Sequence, residues 1–265
     1  MSEVSRTLPK ILITNDDGIE SVLLSEMVAH LVGKFNIIVV APADERSFCG
    51  RSFTFGRDVR VWEVDELPCQ AFAVDGTPSD CVNIALGTLC GETLPDLVIA
   101  GPNIGRNTSL GFILGSGTVA GALEGAFWGL PALAVSQSLE SNEYAKAIKS
   151  MKSLPGEFQQ IFSSGLGVIE EAIERLLVEE KVRLRVNSLN LPHHYDSSRS
   201  LDPVEVPPVD FQFGAFFQES ESGLYHSGNG TRERLTPSEV FTDIDCLIAG
   251  RPAWTRLDFG GLFRS

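Results

Sequence analysis

Short apolar runs alternate with amphipathic stretches through the first half of the chain. Ile11-Leu12-Ile13-Thr14 stops abruptly at Asn15-Asp16-Asp17-Gly18, and an amphipathic stretch over 21–32 follows, with Val22, Met27, Val28 and Leu31 on one face. Residues 36–41 (Ile37, Ile38, Val39, Val40) form an unbroken apolar run ended by Pro42, the pattern of a strand buried on both faces. Ala71 to Val74, Leu97 to Ala100 and Ala132 to Val135 repeat it, with helices predicted over 78–89 and 118–127. Short buried strands alternating with helices predict a parallel sheet covered on both faces, a three-layer α/β/α sandwich.

The pattern changes after Ser136. Residues 138–160 are polar, 161–180 read as a longer amphipathic helix, and 184–190 as one more strand. From Leu191 to about residue 240 the chain is rich in Pro, Gly, Ser and charge, with Phe211, Phe213, Phe216 and Phe217 clustered. Such a segment suits an extended arm or hairpin on a single domain spanning 1–265 better than a second domain. Because the arm looks unable to bury four rings alone, it predicts self-association as a dimer or larger.

Composition narrows the setting. An apolar fraction of 43% is that of a globular chain. No apolar run approaches the ~20 residues of a membrane span, and no signal core precedes residue 10, so a cytoplasmic protein without a membrane partner is expected. The five cysteines form no CxxC pair and read as reduced thiols. A formal charge of −14 repels a polyphosphate backbone, which argues against a nucleic acid polymer as partner. A small anionic substrate is still allowed if positive potential is local, from a metal ion or a helix N-terminus.

Ligands of open parallel sheets bind beyond the carboxyl ends of the strands. Three polar clusters fall there: Asn15-Asp16-Asp17-Gly18, the loop with Ser47 after Pro42, and Gly101-Pro102-Asn103. Adjacent carboxylates at a strand end repel each other, and a hard cation with oxygen ligands removes that cost; an Asx turn is the plainer account. Ser116-Gly117-Thr118 opens a helix and offers either a phosphate site or an ordinary N-cap. Gly76-Thr77-Pro78-Ser79-Asp80 reads as a capping sequence. The chain contains no GxxxxGK[ST], HExxH or GxSxG, and four scattered histidines give no Ser-His-Asp arrangement.

Taken in order, ILITNDDG (11–18), VAPADERS (40–47), VDGTPSDCV (74–82), LVIAGPNIGRN (97–107) and SGTVAGALEG (116–125) with PALAVS (131–136) resemble the SurE-type survival-protein family of metal-dependent 5′/3′-nucleotidases. The resemblance implies one divalent ion, Mg²⁺ or Mn²⁺, on Asp16, Asp17, Ser47 and Asn103. It places the substrate phosphate on Asn107, Ser116, Gly117 and Thr118, and it implies an α/β/α fold with an assembly arm. The activity implied is hydrolysis of nucleoside monophosphates by water, with Asp16 or Asp17 as base or transient nucleophile.

This chain departs from the family pattern at Phe48, where Gly usually follows the ligand serine, and at Gly115, where an aromatic usually precedes Ser-Gly-Thr. Pro102 and Thr108-Ser109-Leu110 are further departures. Phe48 either fills the space of the missing ring or offers a face to a nucleobase. A non-catalytic nucleotide- or phosphate-binding protein on the same fold is the alternative function.

Overall fold

A computed structural model describes residues 7–140, 155–196, 198, 200–227 and 230–263. The polar stretch 138–160 therefore lies in large part outside the described residues. Among the described residues thirteen strands and six α-helices follow in chain order: β1 (Lys10–Thr14), α1 (Val22–Leu31), β2 (Asn36–Pro42), β3 (Val61–Glu63), β4 (Gln70–Val74), α2 (Pro78–Ile84), β5 (Leu97–Ile104), α3 (Leu110–Gly115), α4 (Gly117–Phe127), β6 (Ala132–Gln137), α5 (Gly156–Val178), β7 (Arg185–Leu191), β8 (Val204–Glu205), β9 (Phe211–Phe213), β10 (Phe217–Glu221), β11 (Leu224–Ser227), β12 (Arg232–Arg234), α6 (Asp243–Ile248) and β13 (Ala253–Asp258).

Nine strands form one sheet in the order β3-β4-β2-β1-β5-β6-β7-β13-β8. The six from β4 to β7 run parallel, while β3 and β13 pair antiparallel at either side. The chain leaves β1 toward one side through β2 and β4, then returns to continue on the other through β5, β6 and β7. The strand order thus reverses between β1 and β5, which is where an open α/β sheet presents its ligand crevice.

The continuous apolar runs are explained by burial on both faces. Ile11, Ile13, Ile37 and Val39 pack with α1 and α5 on one side, whereas Leu12, Ile38, Val40 and Val98 pack with α2 on the other. Helix α2 is capped as its sequence predicts: Thr77 and Asp80 form a reciprocal capping box behind Pro78. It widens into a π-helical turn over Ala85–Leu89, so the predicted 78–89 helix is present with a change of pitch. Among the described residues no helix is long and apolar enough to cross a membrane.

Helix α4 lies unusually close to the sheet, and glycines make this possible. A Cβ at Gly117 would come within 2.9 Å of Asp16, one at Gly121 within 3.0 Å of Thr14, and one at Gly125 within 2.7 Å of Val98. The spacing of four keeps all three on one helix face.

The arm resolves into two ribbons, β10–β11 and β9–β12. The second folds back on α3: Phe213 and Phe216 stack around Phe112 at centroid separations of 5.3 and 6.3 Å. Two of the four arm rings thus find cover on the chain's own α3, and Phe211 packs on Phe213 at 6.1 Å. Phe217 is 62% exposed on the other ribbon. Asp243, fully buried, accepts amide hydrogen bonds from Ser109, Val209 and Ile244 at 3.0, 2.9 and 2.8 Å, tying the start of α3 to the arm and to α6.

The glycine stripe gives a test of the packing. Gly→Ala inside a helix ordinarily gains ~1 kcal/mol, yet overpacking a core costs about 1–3 kcal/mol. Gly125→Ala is therefore expected to lower stability in denaturant melts, and Val98→Ala combined with it should recover part of the loss. A Gly125→Ala protein as stable as the parent would contradict the close approach.

Candidate active site

Asp16 and Asp17 are 4% and 5% exposed at the carboxyl end of β1, beside the strand-order reversal. The turn after them needs Gly18, whose φ of +96° is a backbone conformation that residues with side chains rarely adopt. The two carboxylates are held differently. Asp16 accepts from the Thr118 hydroxyl at 2.7 Å and from the Thr118 amide at 3.1 Å, so both its oxygens are engaged by the first turn of α4. Asp17 accepts the Ile104 amide at 2.7 Å through Oδ2, while its buried Oδ1 has no hydrogen-bond partner.

Burial raises both acids. Burial pushes Asp16 up to about 6 in spite of the Thr118 bonds, and Glu45 adds to the rise. Asp17 stands well above the usual carboxylate range, first through burial and then through the charge of Asp16. The same surroundings raise the Cys49 thiol to about 11, so Cys49 is a poor nucleophile here.

The other predicted cation ligands reach the same turn. The Arg46 amide donates to the Asp16 carbonyl at 2.7 Å, which holds the exposed loop carrying Ser47, the next residue, against the turn of the acids. Asn103, 9% exposed, precedes the Ile104 amide that binds Asp17. Among the described residues no three His, Cys, Asp or Glu side chains gather as a metal-holding group. A cation would depend on two carboxylates supplemented by Ser47 and Asn103. The residues fit a hard ion: all donors are oxygen, one buried carboxylate oxygen is unclaimed, and two adjacent buried acids, both raised, are what a divalent charge relieves.

The predicted phosphate residues have divided tasks. Ser116 is the N-cap of α4, its hydroxyl accepting from the Val119 amide at 3.1 Å, and Thr118 is committed to Asp16. Gly117 stands at the first helical position, where the amide has no partner within the helix. Asn107 is fixed by its side-chain amide to the Ser136 hydroxyl at 2.9 Å and by its backbone N–H to Asn190 Oδ1 at 2.8 Å. Ser136 and Asn190 end β6 and β7 and escaped the sequence reading as site residues, although both lie in polar interruptions of apolar runs. Arg106 escaped it too. It is the one cation inside the 97–107 motif, and its guanidinium is partly desolvated and crowded by Arg232 from β12.

Three comparisons with known proteins agree. The profile of the family described as Survival protein SurE matches residues 11–206. The chain is 33% identical over 205 residues to the protein named 5′-nucleotidase SurE of Methanosarcina mazei, covering 75% of this chain and 72% of that one. It is 41% identical over 164 residues to the protein of the same name in Campylobacter jejuni, covering 60% and 61% of the two chains. The crystal structure of the SurE protein from Aquifex aeolicus has the same fold, with a TM-score of 0.72 over 94% of this chain and 93% of that one at 24% identity.

The raised acids make a signed prediction for metal-free protein. A carboxyl whose folded pKa exceeds its unfolded value binds its proton more tightly when folded, so stability falls as pH rises from about 4 through 6. Asp17→Asn keeps the acceptor for Ile104 and removes one charge. It should raise the metal-free melting temperature at pH 7.5 by roughly 2–4 °C, the shift given by ~1 kcal/mol in a domain of this size. It should also abolish the further rise that Mn²⁺ gives the parent. A variant stabilised by Mn²⁺ as strongly as the parent would remove Asp17 from the ligand set.

Proposed function

Because this chain belongs to the Survival protein SurE family, we propose that it is a metal-dependent 5′-nucleotidase, a phosphoric monoester hydrolase releasing phosphate from nucleoside 5′-monophosphates. The observation that carries the reading is the pair Asp16–Asp17, buried at the strand-order reversal and faced by the N-terminus of α4. Asp16, Asp17, Ser47 and Asn103 are the residues that would hold one Mg²⁺ or Mn²⁺. The ion would supply Lewis acidity and compensate charge on the phosphoryl group.

The chain's own groups do the rest. The amide of Gly117 and the dipole of α4 offer partial positive charge to the phosphate, and Arg106 adds a full charge beside Asn107. Thr118 keeps Asp16 from turning. Asp17 Oδ1, the one oxygen of the pair without a hydrogen bond, is the atom left to a cation or to the proton of an attacking water. Phe48 is 70% exposed and leans toward Gly115 and Phe112, which removes crowding of the site as a reason to favour a non-catalytic binder.

We also infer that the protein forms a homodimer or homotetramer through the β10–β11 ribbon. Phe217, Leu224 and Tyr225 are 62%, 58% and 62% exposed on it, and an exposed hairpin with large apolar side chains invites pairing.

Two measurements test these readings. Purified protein with Mn²⁺ or Mg²⁺ should release phosphate from nucleoside 5′-monophosphates and lose at least 100-fold in rate, ~2.7 kcal/mol of barrier, with excess EDTA. Assaying the 3′ isomers alongside defines positional preference, and phosphate release undiminished by EDTA would exclude the metal. In light scattering, a dimer or larger should convert to monomer on Phe217→Ser with Tyr225→Ser. A parent that is monomeric at micromolar concentration would overturn the assembly.

A further inference from the structure

Within the nucleotidase reading, on which this inference rests, we propose that Phe48, backed by Phe112, is the platform on which the substrate's nucleobase stacks, and that the C-terminal arm builds the back of this subsite. Three observations carry it.

Phe48 is presented from an anchored loop. On one side of it the Arg46 amide binds the Asp16 carbonyl at 2.7 Å, and on the other the Gly50 amide binds the Gly115 carbonyl at 2.9 Å. Further along, the Thr77 hydroxyl holds the Ser52 carbonyl at 2.6 Å, and Thr54 donates its hydroxyl to Asp80 at 2.6 Å. With the backbone fastened at so many points, the ring is 70% exposed by construction. The residue also adopts φ +55°, a left-handed conformation that a bulky side chain seldom takes and that tends to persist at functional sites.

The ring stands beside the phosphate residues. Neighbouring Cα atoms are ~3.8 Å apart, and Phe48 follows Ser47 directly. Its Cδ1 lies 3.7 Å from where a Cβ of Gly115 would stand, one residue before Ser116. A ring that merely filled the space above Gly115 would be covered. This one touches that position and keeps most of its surface in solvent, one residue away from the start of the proposed phosphate site.

The platform has a back. Phe112 stands at 6.1 Å and 59° to Phe48, and Phe213 meets Phe112 edge-on at 5.3 Å and 84°. A Cβ at Gly111 would come within 2.4 Å of Phe213, so the arm is pressed directly onto α3. The Arg232 guanidinium lies 5.4 Å from the Phe112 ring centre. A π face reads the presence of a ring more than the pattern of its edge, so the subsite should separate base-bearing from base-free monoesters more sharply than one base from another.

The readout is the ratio of kcat/KM for a nucleoside 5′-monophosphate to that for glycerol phosphate, measured on the full-length metal-loaded protein. Phe48→Gly accommodates φ +55° and should reduce the ratio about 5- to 150-fold, which at ~1.36 kcal/mol per decade is ~1–3 kcal/mol of stacking. Phe48→Asn, which also tolerates the left-handed backbone, should reduce it similarly, and Phe48→Trp should preserve it. An unchanged ratio in both ring-free variants, or equal losses on both substrates, would overturn the platform. If the parent hydrolyses neither substrate, the nucleotidase reading fails separately. Calorimetric affinity for the same nucleotide relative to inorganic phosphate then decides: a drop in Phe48→Gly supports the platform, and no change removes it.

Discussion

How near α4 comes to the sheet governs the rest of the molecule. A helix packed on a sheet through ordinary side chains stands about 10 Å away, too far for its first turn to hydrogen-bond a residue at a strand end. Glycines at 117, 121 and 125 remove that padding over one face. Thr118 can then engage both oxygens of Asp16. The apolar packing and the polar chemistry are therefore one arrangement: the contact with Val98 deep in the core sets the position of the amides that face the crevice.

This arrangement also reconciles an acidic protein with an anionic substrate. The chain's net charge is −14, and two of its acids, Asp16 and Asp17, are buried at the heart of the site. Positive potential comes from short-range sources, the open end of α4 and Arg106 beside Asn107, to which the cation proposed for Asp16 and Asp17 would add. Long-range repulsion is screened within ~8 Å at physiological ionic strength, so what the phosphate meets on arrival is set by these neighbours rather than by the overall charge.

Much of the fold was legible from the sequence because parallel strands buried on both faces write themselves as unbroken apolar runs. Ile37 to Val40 and Leu97 to Ala100 were readable for that reason. Strand β5 continues further, through Pro102 and Asn103, since a shift of register after Ala100 lets polar residues finish it. Strands β3 and β13 were not legible: β3 is three residues at an edge, and β13 mixes Trp254 with Thr255 and Arg256. Helix α3 was hidden because Leu110–Gly115 carries two glycines and is too short for a helical period to show. In the site, motif order led to Asp16 and Asp17, whereas Ser136, Asn190 and Arg106 act through neighbours that only the folded chain reveals. The arm's composition marked it as neither a sheet strand nor a core helix, and its return onto α3 depends on Phe213 meeting Phe112, a pairing across 100 residues that no local pattern encodes.

The buried carboxylate of Asp243 has a consequence in time. It fixes the amide of Ser109, 134 residues earlier in the chain, and so sets the path from the phosphate loop into α3. A chain emerging from the ribosome folds from its N-terminus at about 5–20 residues per second. The parallel sheet through β6 can assemble while the remainder is still being made, yet Ser109 must wait many seconds for its partner. During synthesis the protein thus passes through a stage with a nearly finished sheet and an unfinished crevice. The loop that leads into α3 is fastened only once Asp243 has been made.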